Sequence, residues 1–157
     1  MKPHHPFNED LKTVLDSEQA YQFLPHQTWM EGGCTLLAMA LQRLIPGSHL
    51  YSVGRLDQGI PDHTVLSVDV EGEPFYLDYD GLHTTFELTQ KVTQEWRIAH
   101  PTLAPVDLDL LEQMDMRDLD GSVGSLAKLL ASELGAIDSE RLDPAWCDDD
   151  ELDMAPR

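Results

Sequence analysis

The chain predicts an α+β fold: a small antiparallel sheet packed against a cysteine-bearing helix from the N-terminal half, with an extra helix on the C-terminal side. Three observations predict it. Cys34 to Ile45 (CTLLAMALQRLI) is rich in helix formers and apolar nearly all round, as a buried helix is, and Pro46-Gly47 stops it. His63 to Val70 and Phe75 to Tyr79 alternate polar and apolar residues on either side of Glu71-Gly72, the pattern of a β-hairpin. Val123 to Leu134 (VGSLAKLLASEL) is amphipathic and closed by Gly135. Helices flanking such strands make an α+β domain.

The elements follow in order. Val14 to Leu24 places Val14, Leu15, Glu18 and Tyr21 or Gln22 on helical spacing before Pro25, so a short helix is expected there. HQTWMEGGC is a loop by its glycines. Leu50 to Val53 reads as a strand and Gly54 to Asp62 as a loop. A two-residue turn at Glu71-Gly72 sets Val70 opposite Glu73, Val68 opposite Phe75 and Leu66 opposite Leu77. That register puts Leu66, Val68, Phe75 and Leu77 on one face, and His63, Val65, Ser67, Tyr76 and Asp78 on the other. Asp80-Gly81 reads as a turn, and Thr84 to Leu88 and Glu95 to Ala99 as further strands. The stretch HPTLAP breaks any periodic pattern and marks a boundary. The expected organisation is a core at 1–106, a helical extension at 107–142 packed on it, and an acidic, flexible tail at 143–157.

Composition narrows the function classes. With 157 residues there is material for one core. The 10 Lys and Arg against 29 Asp and Glu give a formal net charge of −19, which repels a phosphate backbone, so no nucleic-acid partner is expected. The charge is uneven: residues 1–106 carry 14 acidic and 6 basic side chains, and residues 107–157 carry 15 and 4. MKPHHPFNEDLK lacks the apolar stretch of a signal peptide, and no run reaches the roughly 18 apolar residues of a membrane span, so a cytoplasmic protein without membrane contact is expected. Cys34 and Cys147 stand in unlike contexts and read as free thiols. The seven histidines show no HxxxH or HExxH spacing, and Asp118-Leu119-Asp120-Gly121 lacks the later ligands of a calcium loop and reads as a helix-terminating turn. No metal and no cofactor are expected; GxGxxG and GxxxxGK[ST] are both missing.

Three residues could carry chemistry. Cys34 stands where a glycine loop, Gly32-Gly33, meets an apolar helix, so its sulfur lies beside unsatisfied N–H groups and the positive end of the helix dipole, which favours the thiolate. His63 opens a strand beside a loop, where a half-exposed imidazole can exchange protons. Asp78 interrupts a strand of Phe, Tyr and Leu; in the hairpin register it is a diagonal neighbour of His63, within reach of a side-chain hydrogen bond. A nucleophile, a base and an orienting carboxylate thus occur in the order Cys, His, Asp.

A cysteine after Gly-Gly at the start of an apolar helix, with His63 opening one strand and Asp78 on the next, resembles the papain-like superfamily in the broad sense, including NlpC/P60-like peptidases, transglutaminase-like proteins and arylamine acetyltransferases. The resemblance covers about residues 28–80. It implies a papain-like core in which Cys34 is nucleophile, His63 general base and then acid, and Asp78 holds the imidazole tautomer. It further implies oxyanion or substrate-binding roles for Gln27, whose spacing from Cys34 departs from the usual one, and for the Cys34 N–H beside Gly33. No tryptophan or serine follows Cys34, another departure. Trp29, five residues ahead of Cys34, reads either as lining a cleft or as packing beside a helix start.

Two functions from different classes follow. One is a small cysteine-dependent amide hydrolase or acyl-transfer enzyme (peptidase, isopeptidase, deamidase or amidase) acting on a protein or peptide substrate. The other is a catalytically idle acidic binding or inhibitor protein that docks on a basic partner through its C-terminal part.

Overall fold

The structure, a computed structural model, describes residues 5–24, 29, 33–106, 119–138 and 140–142. Pro6 opens α1 (Pro6–Leu15), where its fixed φ suits the first turn, and His5 Nδ1 caps it by accepting the Phe7 N–H at 3.1 Å. The helix therefore begins well before Val14, where the spacing expects it, and Asp16-Ser17 interrupts the expected segment. Ser17 caps a separate short α2 (Glu18–Tyr21), accepting the Ala20 N–H at 3.3 Å. The apolar run folds as α3 (Gly33–Leu44), with Cys34 at its second position.

Five strands follow: β1 (His49–Arg55), β2 (Ile60–Val70), β3 (Glu73–Asp78), β4 (Gly81–His83) and β5 (Thr102–Pro105). They form one antiparallel sheet in the order β4-β3-β2-β1-β5. The β2–β3 register is the one the alternation predicts, with Leu66, Val68 and Val70 opposite Leu77, Phe75 and Glu73. Glu71 and Gly72 both take positive φ, 55° and 84°, as a tight hairpin turn demands.

Four readings are corrected. Much of Gly54 to Asp62 is regular: a 3-10 turn spans Leu56–Gln58 and β2 already starts at Ile60, so His63 lies inside a strand and is fully buried. Thr84 to Leu88 and Glu95 to Ala99 are not strands, because α4 (Thr85–Trp96) occupies most of that stretch. Its capping box has the Thr84 hydroxyl accepting the Glu87 N–H at 3.1 Å and Glu87 Oε1 accepting the Thr84 N–H at 2.8 Å. HPTLAP contributes β5, whose edge position beside β1 tolerates Pro105. Leu119 to Gly121 lie in the first turn of α5 (Leu119–Leu134) and are not the turn expected there; Asp118 lies outside the described residues.

The sheet is covered on both faces. Leu66, Val68, Phe75 and Leu77 pack under α3 and α5 against Leu37, Leu41, Leu126 and Leu130, and α1 adds Phe7 and Leu11. Val53, Val65 and Tyr76 face Leu88 and Val92 of α4 in a second, smaller cluster. Gly81 ties α1 to β4: its φ is 103°, and a Cβ there would stand 2.1 Å from the Asn8 side chain, whose Oδ1 accepts the Leu82 N–H at 3.1 Å. No helix among the described residues is long and apolar enough to cross a membrane.

Candidate active site

The pairing of β2 with β3 runs no further than Leu66 opposite Leu77. Beyond it the Thr35 hydroxyl lies 3.0 Å from Thr64 Oγ1, and both threonines help to lower the Cys34 thiol. Cys34 comes from the face under α3, while His63 belongs with Val65 on the α4 face. They meet at this margin, where β3 has ended.

The imidazole is fixed from two sides. His63 Nε2 is 2.9 Å from Asp78 Oδ2, and its ring lies against Trp96 with centroids 4.9 Å apart. Nε2 being committed to Asp78, Nδ1 is the nitrogen left for other chemistry. It is buried and makes no hydrogen bond in this structure, and the charge of the nearby Cys34 acts on the ring. Cys34 is free of any disulfide.

Burial and partners oppose each other here, and the partners prevail. Burial pushes the Cys34 thiol up, but His63, the Thr64 backbone and the Thr35 hydroxyl bring it below its ordinary value of 9.0. Burial likewise disfavours a charged His63, yet Asp78 and Cys34 together push it up to about 9. Asp78 is desolvated as well, but hydrogen bonds from His63 and His83 and the charge of Lys91 hold it well below the usual carboxylate range. The arrangement favours a thiolate–imidazolium pair, titrating as a coupled unit.

Sequence reasoning brought together Cys34, His63 and Asp78, and the structure places all three in one cluster. Gly33 is the buried first residue of α3. Trp29 is buried and donates its indole N–H to the Leu15 carbonyl at 2.9 Å, a place in the core and not in a cleft wall. Gln27, Gly32 and Cys147 lie outside the described residues. His83, Lys91, Trp96, Thr35 and Thr64 were missed. The Thr84/Glu87 capping box, followed by Leu88, Val92 and Trp96 at intervals of four, is the signal that could have placed α4, and with it Lys91 and Trp96, over the sheet. Among the described residues, no group of His, Cys, Asp and Glu is arranged to hold a metal ion. Compared with protein-family models, curated proteins and solved structures, the chain has no significant match.

Proposed function

We propose that this protein is a cysteine-dependent amide hydrolase or acyl-transfer enzyme with a papain-like core, acting on a protein or peptide amide. The observation that carries the reading is the His63 ring: Asp78 takes Nε2, and Nδ1 is left unpaired beside a thiol at a helix N-terminus. The Cys34 thiolate attacks the carbonyl carbon and the carbonyl π electrons move to oxygen. The N–H groups at the start of α3, that of Cys34 among them, are suited to receive that oxyanion. As the tetrahedral intermediate collapses, the C–N bond breaks, and the proton on His63 Nδ1 goes to the departing amine. A thioester on Cys34 remains. His63, now neutral, takes a proton from water or from an acceptor amine; that nucleophile displaces the thiolate, and the imidazolium is restored. Asp78 keeps Nε2 as donor throughout, so that Nδ1 alone handles the moving proton.

The test is acylation. With a short-chain p-nitrophenyl ester, the wild type should release a stoichiometric burst of nitrophenolate and carry one acyl group on Cys34 by intact mass. Cys34→Ala should abolish both, and His63→Gln should slow acylation by two or more orders of magnitude. A wild type that never acylates Cys34 would end the proposal.

A further inference from the structure

Asp78 is bonded by more groups than an orienting carboxylate needs. Its Oδ2 is shared by His63 Nε2 at 2.9 Å and Lys91 Nζ at 2.7 Å. Its Oδ1 accepts His83 Nε2 at 2.8 Å and the Asp80 N–H at 2.9 Å. Lys91, with 9% of its side chain exposed, also lies 2.6 Å from Asp80 Oδ2, and Lys12 holds Asp80 Oδ1 at 3.0 Å. The charged and titratable groups around Asp78 thus come from every side: Cys34 of α3 through His63 of β2, His83 of β4, Lys91 of α4, Asp80 of the turn after β3, and Lys12 of α1 through Asp80.

A lysine so buried is costly to desolvate, and a buried ion pair is weak evidence of a stabilising role. The inner face of α4 already packs through Leu88 and Val92, so an apolar residue would suit position 91 as far as packing goes. What Lys91 adds is a second cation on the oxygen that His63 uses. We propose that Lys91 is a positioning residue that acts on His63 through Asp78: by occupying the shared oxygen it divides that carboxylate between ammonium and imidazole, and so limits how firmly the proton is retained on His63. A general acid works best when its proton is neither too loosely nor too tightly held at the operating pH. An undivided Asp78 would hold the imidazolium too well to protonate a leaving amine. This inference rests on the reading of Cys34, His63 and Asp78 as a catalytic set.

The experiment is an NMR titration of the His63 ring in the full-length protein, beside the pH profile of Cys34 alkylation by iodoacetamide, in wild type, Lys91→Met and Lys91→Arg. Asp78 stays anchored through Oδ1 in all three. Lys91→Met should move the His63 midpoint upward by about one pH unit; Lys91→Arg, which keeps the charge, should stay near wild type. A folded Lys91→Met protein whose His63 midpoint is unmoved or lowered overturns the proposal. Should Lys91→Met not fold, the pair Lys91→Met with Asp80→Asn removes one charge of each sign and carries the same prediction. The two readings fail separately. An ordinary-thiol profile in wild type sinks the enzyme reading and leaves the NMR midpoint to decide the role of Lys91; a low profile in wild type together with a His63 midpoint that Lys91→Met leaves in place sinks only the latter.

Discussion

On the face covered by α3 and α5, β2 and β3 present Leu66, Val68, Phe75 and Leu77 to an all-apolar core. On the α4 face the same two strands present His63, Tyr76 and Asp78, and a small patch of Val53, Val65, Leu88, Val92 and Ile98 surrounds an ion network. Leu77 and Asp78 are adjacent, and each is almost wholly buried. Yet the two are held by different physics. Leu77 gains by leaving water, an effect indifferent to pH. Asp78 loses by leaving water and is retained by four hydrogen bonds, so its stability is conditional on every partner. One face holds the fold together; the other holds His63 in a buried ion network near Cys34.

If this division is right, truncating the network should hurt more than its size suggests. Asp78→Ala removes the carboxylate that His63, His83 and Lys91 share and should cost about 3 to 5 kcal/mol by urea unfolding, while returning Cys34 to an ordinary thiol. The pH dependence has a fixed sign. Because the folded pKa of Asp78 lies well below 3.8, its contribution is complete above the ordinary carboxylate range and disappears as pH falls through the depressed value. The stability gap between wild type and Asp78→Asn should therefore be full at about pH 6 and close as the pH falls below the ordinary carboxylate value of 3.8 towards the depressed one. Leu126→Ala, a cavity on the opposite face, should cost about 2 to 5 kcal/mol and leave the Cys34 profile where it was. A shifted profile there would mean that the two faces are coupled.

A smaller effect is expected from Thr35→Val, which removes the hydroxyl that bonds Thr64 and helps to lower the Cys34 thiol. Stability should fall by about 1 kcal/mol, and the onset of alkylation should rise by less than one pH unit. Smallest of all, deleting residues 143–157 should change neither the unfolding curve nor the alkylation profile, because that segment has few apolar residues and a self-repelling block at Asp148-Asp149-Asp150-Glu151. An acidic binding protein would instead lose a salt-sensitive partner on that deletion.

Legibility followed the same division. The hairpin, α3 and α5 were legible because burial on the apolar face imposes strict periodicity, and Leu66, Val68, Phe75 and Leu77 could not slip by one residue without facing water. Cys34, His63 and Asp78 were legible as anomalies: a cysteine after glycines, and an aspartate where a strand wants an apolar residue. The α4 face was harder. Thr84, Thr85 and Phe86 carry strand propensity, and the capping box with tertiary packing overrode it. His83 and Lys91 reach Asp78 only through the turn at Tyr79-Asp80 and the placement of α4, long-range facts that no local spacing encodes. The strand within HPTLAP went unread for a related reason. Proline argues against a central strand, whereas β5 is an edge.

The central claim is that His63, held by Asp78, sustains a thiolate on Cys34. Its most direct test is the rate of Cys34 alkylation by iodoacetamide across pH, followed by mass in wild type and in His63→Gln. The account predicts that wild type alkylates well below the ordinary thiol value of 9.0 and that His63→Gln, which keeps the burial but loses the imidazolium, moves the onset to 9.0 or above. Superimposable profiles for the two proteins would contradict it.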